Sequence, residues 1–133
     1  MPHLRIEYTA NLEPEADMAG LCTALAAVLA TLENEQGTPL FPLAGTRVMA
    51  FPAAHFAVAD GHPGRAFIYL TMRIAPGRSD ALKKMACDAV LACASAHLDA
   101  VFATRALGMT LHMDEQAPVQ EGKRNNLGSY LQS

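Results

Sequence analysis

Three residues of this 133-residue chain have types and positions suited to chemistry: Pro2, Arg47 and Arg78. Pro2 follows Met1, and a small second residue lets the cell remove the initiator methionine, which would expose a secondary amine on a rigid ring. In an apolar pocket beside cationic groups, desolvation and like charge both favour the neutral form of such an amine, which suits it to carry a proton. Arg47 follows Phe41-Pro42-Leu43-Ala44-Gly45-Thr46 at the head of a strand, and Arg78 lies in Ala75-Pro76-Gly77-Arg78-Ser79, just ahead of a helix. A guanidinium beside free helix N–H groups is a good carboxylate receiver, because its fork of donors and the helix dipole act on the same anion. Arg5, Arg65, Arg73, Arg105 and Arg124 read instead as solvated surface residues.

The usual enzyme signatures are missing. There is no Gly-rich phosphate loop, no G-x-S-x-G elbow, no H-E-x-x-H and no paired C-x-x-C. His55 and His62, or Cys87 and Cys93, are not spaced to put two ligands on one helical face, and no further ligand completes either set, so no metal is expected. Asp60 reads as the turn residue before Gly61 rather than as half of an acid/base pair with Asp114.

The elements that must position these residues show in the periodicity. Leu4, Ile6 and Tyr8 alternate with Arg5, Glu7 and Thr9, predicting a strand over 1–9. Pro14 suits a first helical turn, and Met18, Leu21, Leu25, Val28 and Leu32 recur at spacings of three and four, predicting a helix over 14–35. A second strand spans 46–59, interrupted at Pro52, and a third runs from Arg65 with Ala66, Ile68, Leu70, Met72 and Ile74 on one face. Ser79 caps a second helix whose inward stripe is Leu82, Ala86, Val90, Cys93, His97 and Val101; Met109, Leu111 and Met113 mark a last strand. The order is β-α-β twice. The expected fold is therefore α/β (α+β): one domain over 1–133, with pseudo-repeats at about 1–61 and 62–115, a four-stranded sheet, both helices on one face and a C-terminal arm over 116–133 that reaches a neighbouring subunit.

Composition fits this picture. The chain is 51% hydrophobic but only 17% charged, against roughly 25% in average proteins, so apolar surface is left over for subunit contacts. The bare sheet face bearing Phe67, Tyr69 and Thr71 is where subunits would meet. A net charge of -3 without a basic run argues against a nucleic-acid or anionic-membrane partner. The apolar stretch 37–59 is broken by Pro39, Pro42, Pro52, Gly45 and Arg47, so no membrane span is expected there. Arg5 and Glu7 break any secretory signal, and three cysteines in helical patterns suit reduced thiols, so the expected compartment is the cytoplasm.

Pro2-His3, the run Phe41-Pro42-Leu43-Ala44-Gly45-x-Arg47, Ala59-Asp60-Gly61, Gly77-Arg78-Ser79 and Asn125-Asn126 together resemble the 5-carboxymethyl-2-hydroxymuconate delta-isomerase family of the tautomerase superfamily. The resemblance spans essentially the whole chain and implies a homotrimer of double β-α-β subunits. It also implies a cofactor-free keto-enol isomerisation of a dicarboxylate-rich dienol, in the degradation of homoprotocatechuate derived from 4-hydroxyphenylacetate. By the same resemblance Pro2 is the catalytic base and acid, taking the proton of the 2-hydroxyl and returning one to carbon 5. Arg47 and Arg78 hold substrate carboxylates and stabilise charge developing on the 2-oxygen. The residues alone leave two alternatives open: a tautomerase for another 2-oxo or 2-hydroxy acid such as phenylpyruvate, and a non-catalytic trimeric binding protein.

Overall fold

The computed structural model describes residues 2–131. The main elements are β1 (His3–Thr9), α1 (Met18–Thr31), β2 (Arg47–Ala53), β3 (Ala66–Ile74), α2 (Asp80–Thr104) and β4 (Leu107–Glu115). Met1, at the head of the expected first strand, and 132–133, at the end of the expected arm, lie outside the described residues. One sheet runs in the order β2-β1-β3-β4. β1 pairs β2 in parallel, β3 pairs β4 in parallel, and the two units join where β1 and β3 run antiparallel. Both helices cover one face, as the double β-α-β reading expected.

Alternation decides which face is buried. Leu4, Ile6 and Tyr8 of β1 and Ala66, Ile68, Leu70, Met72 and Ile74 of β3 point into the core, where they meet Met18, Leu21, Leu25 and Leu29 of α1. From α2 come Ala86, Val90, Ala94, Leu98 and Val101. The expected stripes are corrected at their edges. Leu29 takes the inward place given to Val28, and Ala94 and Leu98 take those given to Cys93 and His97, both of which are half-buried. The His97 Nε2–H instead donates to the Asp17 carbonyl at 2.9 Å, tying α2 to the start of α1. By length and hydropathy α2 is apolar enough to cross a membrane, yet its stripe is packed on the sheet, and it leaves Met85, Leu91 and Phe102 exposed on its outer side.

Three element ends differ from expectation for identifiable reasons. α1 starts at Met18 rather than Pro14, because Asp17 is the cap and its carboxylate accepts the Gly20 N–H at 2.9 Å. It ends at Thr31 because Leu32 is extended and its carbonyl accepts the Leu40 N–H at 2.8 Å, closing a loop instead of another helical turn. β2 stops at Ala53, not Ala59, because its partner strand ends opposite it at Thr9. Pro52 does not interrupt it: β2 is an edge strand, where a missing N–H costs no ladder bond.

The outer sheet face carries half-buried Phe67, Tyr69 and Thr71 on β3, with Met49 and Phe51 exposed on β2 beyond Arg5 and Glu7 of β1. Phe67 lies flat on Gly108, opposite it in register; a Cβ there would sit 2.7 Å from the ring. At the far end of the sheet Arg105 is no solvated residue. Its guanidinium pairs with Glu15 at 2.6 Å and donates to the carbonyls of Asn11 and Gly64. The C-terminal segment folds back on its own chain, where Asn125 Nδ2 donates to the Ala44 carbonyl at 3.2 Å.

Leu70 is fully buried between both helices and the middle of the sheet. Leu70→Ala is predicted to lower stability by roughly 2–5 kcal/mol in urea unfolding at fixed protein concentration. A loss within about 0.5 kcal/mol would mean that the core does not close over this strand.

Candidate active site

β1 and β2 begin at one end of the sheet, and β3 ends there, so three chain segments meet. Pro2 is buried at the head of β1, a position that needs no ladder N–H. Its carbonyl accepts the Arg47 N–H at 3.3 Å, which sets Arg47 beside it. Parallel register then pairs His3 with Arg47, while antiparallel register pairs His3 with Arg73 from the other side. All three project to the sheet face away from the helices, because their positions alternate with the inward-facing Leu4, Val48 and Met72.

The result is an electropositive corner. Arg47 Nε–H donates to His3 Nδ1 at 3.3 Å, so that nitrogen must be unprotonated. Burial pushes the His3 imidazole below its ordinary value, and the fields of Arg47, Arg5 and Arg73 push it the same way. His3 thus adds a neutral acceptor rather than another cation. A cleft of about 500 Å³ opens here, lined by His3, Arg47, Arg73, Ile74, Glu121 and Lys123. The C-terminal segment closes its other side: Asn125 and Asn126 line a further hollow with Arg47.

Arg78 is held differently. Gly77, at φ +118, takes a backbone conformation that L side chains rarely adopt and turns the chain between β3 and α2. Arg78 Nη1 then donates to the Ala75 carbonyl at 3.2 Å and Nη2 to the Leu40 carbonyl at 3.1 Å. The guanidinium lies over the buried Phe41 ring, 4.7 Å from its centroid. Two carbonyls and an aromatic face therefore fix its plane, and its remaining donors serve a hollow lined by Leu40, Gly77 and Ser79. Ser79 caps α2 as expected, its Oγ accepting the Leu82 N–H at 3.2 Å, so the positive end of that helix adds to the same hollow.

Pro2 and Arg47 are thus brought together. Arg78 occupies a neighbouring hollow, and Ala75 borders both spaces. Sequence reasoning placed Arg73 on the solvated surface and gave His3 no role; both line the cleft. Arg73 ends the outward series Phe67, Tyr69, Thr71, which was visible in the alternation, but its partner across the sheet was not. Asp60 is the turn residue expected, accepting from Arg65 Nε and Nη2 at 3.0 and 2.9 Å.

Comparison with known proteins gives a consistent answer. A family model described as 5-carboxymethyl-2-hydroxymuconate isomerase matches residues 2–131. A 5-carboxymethyl-2-hydroxymuconate Delta-isomerase of Escherichia coli is 30% identical over 127 residues, covering 96% of this chain and 96% of its own. A crystal structure of a 5-carboxymethyl-2-hydroxymuconate delta-isomerase superposes with a TM-score of 0.93 at 36% identity, over 100% of this chain and 94% of that one. A fused 4-OT symmetric trimer, 20% identical, shares the fold with a TM-score of 0.60 over 92% of this chain and 93% of that one.

The neutral state of His3 is open to measurement. Because its folded value lies below that of the unfolded chain, the unfolded state takes up a proton first as pH falls, so the contribution of His3 to stability declines below about pH 6.5. Proton NMR, with the resonance assigned through His3→Gln, is predicted to place its midpoint below the ordinary histidine value. Arg47→Ala raises that midpoint; an unchanged midpoint would show that the Arg47 field does not reach the ring.

Proposed function

The chain belongs to the 5-carboxymethyl-2-hydroxymuconate isomerase family and is an isomerase, and from that premise we propose how its own residues act. The substrate is 5-carboxymethyl-2-hydroxymuconate, the compound in the relatives' names, and Pro2, freed of Met1, is the base. The observation that carries this reading is the buried Pro2 at the head of β1, its carbonyl bonded to the Arg47 amide, with the next residue, a neutral His3, flanked by the Arg47 and Arg73 cations. Burial and positive charge both disfavour an ammonium there, so a neutral amine is available near neutral pH.

The step balances without a cofactor. The Pro2 nitrogen takes the proton of the 2-hydroxyl, and the oxygen's electron pair forms the 2-oxo double bond. The 2,3 double bond moves to 3,4, and the electrons of the 4,5 double bond take a proton at carbon 5 from the Pro2 ammonium. Arg47 receives a carboxylate beside Pro2. Arg78, its plane fixed by the carbonyls of Ala75 and Leu40 and by Phe41, receives a second anionic group and steadies negative charge on the 2-oxygen. Because Arg78 faces its own hollow, this reading fits a site completed across a subunit boundary. The assembly is a homo-oligomer, and we read it as a trimer: the trimeric fold neighbour supports this, as does the outer sheet face with Met49 and Phe51 exposed. Free thiols at Cys22, Cys87 and Cys93 suit a reducing compartment such as the cytoplasm.

An ultraviolet assay of dienol ketonisation, on protein shown by intact mass to lack Met1, tests the assignment. Arg78→Ala is predicted to lower kcat/KM on the order of 10²-fold or more, and an unchanged rate removes Arg78 from the site. Pro2→Ala keeps an amine and is expected to keep part of the activity; full activity would argue against a special role for the ring.

A further inference from the structure

A 5-carboxymethyl-2-hydroxymuconate carries three carboxylates, one more than Arg47 and Arg78 receive. Most other arginines of the chain are occupied. Arg65 pairs with Asp60, Arg105 with Glu15, and Arg5 lies over Phe51 within 3.9 Å of Glu7. Two differ: among the described residues no carboxylate lies within 4.0 Å of the Arg73 or Arg124 guanidinium and neither makes a side-chain hydrogen bond, but Arg124 lies on the C-terminal segment, and only Arg73 is placed by the sheet. Arg73 is thus the candidate. It sits opposite His3 in the β1/β3 ladder and lines the same cleft as His3 and Arg47. Asp114 stands opposite Arg73 in the β3/β4 ladder but comes no closer than 4.0 Å, and the acid in the cleft lining, Glu121, is paired with Lys123 at 3.3 Å. An unpaired guanidinium facing a cleft that already contains a second guanidinium is held against like-charge repulsion, and an anion relieves that cost.

We propose that Arg73 is a specificity-determining residue that receives the carboxylate of the carboxymethyl arm, so that the cleft selects a three-carboxylate substrate over a two-carboxylate one. This rests on the reading of the site above. The placement of Arg73 supports it: β3 delivers Arg73 from the side of His3 opposite Arg47, so an anion held by both spans the cleft over His3, the residue that follows Pro2. The fall in the His3 ionisation agrees, since the Arg73 field reaches the ring.

The test compares wild type, Arg73→Ala and Arg73→Lys, all lacking Met1, on 5-carboxymethyl-2-hydroxymuconate and on 2-hydroxymuconate, which lacks the arm. Arg73→Ala is expected to raise KM for the first about 10- to 100-fold with little change in kcat, as loss of a charge-assisted hydrogen bond does. It should leave the second substrate within about twofold, and Arg73→Lys should recover part of the loss. An equal effect on both substrates, or none on either, overturns the proposal. So does a changed oligomer mass in Arg73→Ala, which would show that the partner of Arg73 is a carboxylate of another copy. If wild type turns over neither dienol, the substrate reading fails separately, and calorimetry still decides the role of Arg73. Wild type should bind propane-1,2,3-tricarboxylate more tightly than glutarate, and Arg73→Ala should lose that preference; a preference unchanged in Arg73→Ala counts against the proposal.

Discussion

The bond from the Arg47 amide to the Pro2 carbonyl, 3.3 Å long, precedes the β1/β2 ladder and fixes what stands beside Pro2. A one-residue slip of this parallel pairing would turn Arg47 toward the helices and bring Val48 to the cleft face. The slip is resisted by burial: Leu4, Ile6 and Tyr8 must face α1 and α2, and only this register lets Val48 and Ala50 pack beside them. The core therefore sets the site. On its other side β1 is held by β3, whose own fully alternating face leaves Arg73 no choice but to point at the same cleft.

Low charge content acquires a function in this arrangement. With few ionic groups in the chain, this sheet end holds two guanidinium groups that form no ion pair among the described residues, and the one imidazole between them stays neutral and accepts a hydrogen bond. Arg78 shows the complementary strategy. Its charge is not paired with an acid but with two carbonyl oxygens and an aromatic face, which orient a guanidinium while leaving its net charge for a ligand.

Much of this was readable in the residues, for identifiable reasons. The strict alternation over 66–74 predicted the face and nearly the bounds of β3, and Ser79 marked the start of α2, because both signals are local. Pro14 suggested the start of α1, but the cap is Asp17, whose carboxylate accepts the Gly20 N–H. The end of β2 depended on where β1 runs out, which is a property of the pair and not of either strand. The same holds at the site. Pro2, Arg47 and Arg78 stood out by position, whereas Arg73 and His3 acquire their setting from an antiparallel join between two units whose order in the sheet no local pattern specifies. The tie from Arg105 to Glu15, ninety residues away in the chain, was hidden for the same reason.

The central claim is that the Pro2 amine carries the proton. Covalent labelling tests it most directly: protein lacking Met1 is treated near neutral pH with an acrylate-like electrophile bearing a carboxylate, and the adduct is mapped by peptide mass spectrometry as activity is followed. The account predicts a single adduct on the Pro2 nitrogen that rises in step with the loss of ketonisation and is slowed by a competing polycarboxylate. Inactivation with the adduct elsewhere, or full activity with Pro2 quantitatively labelled, would contradict it.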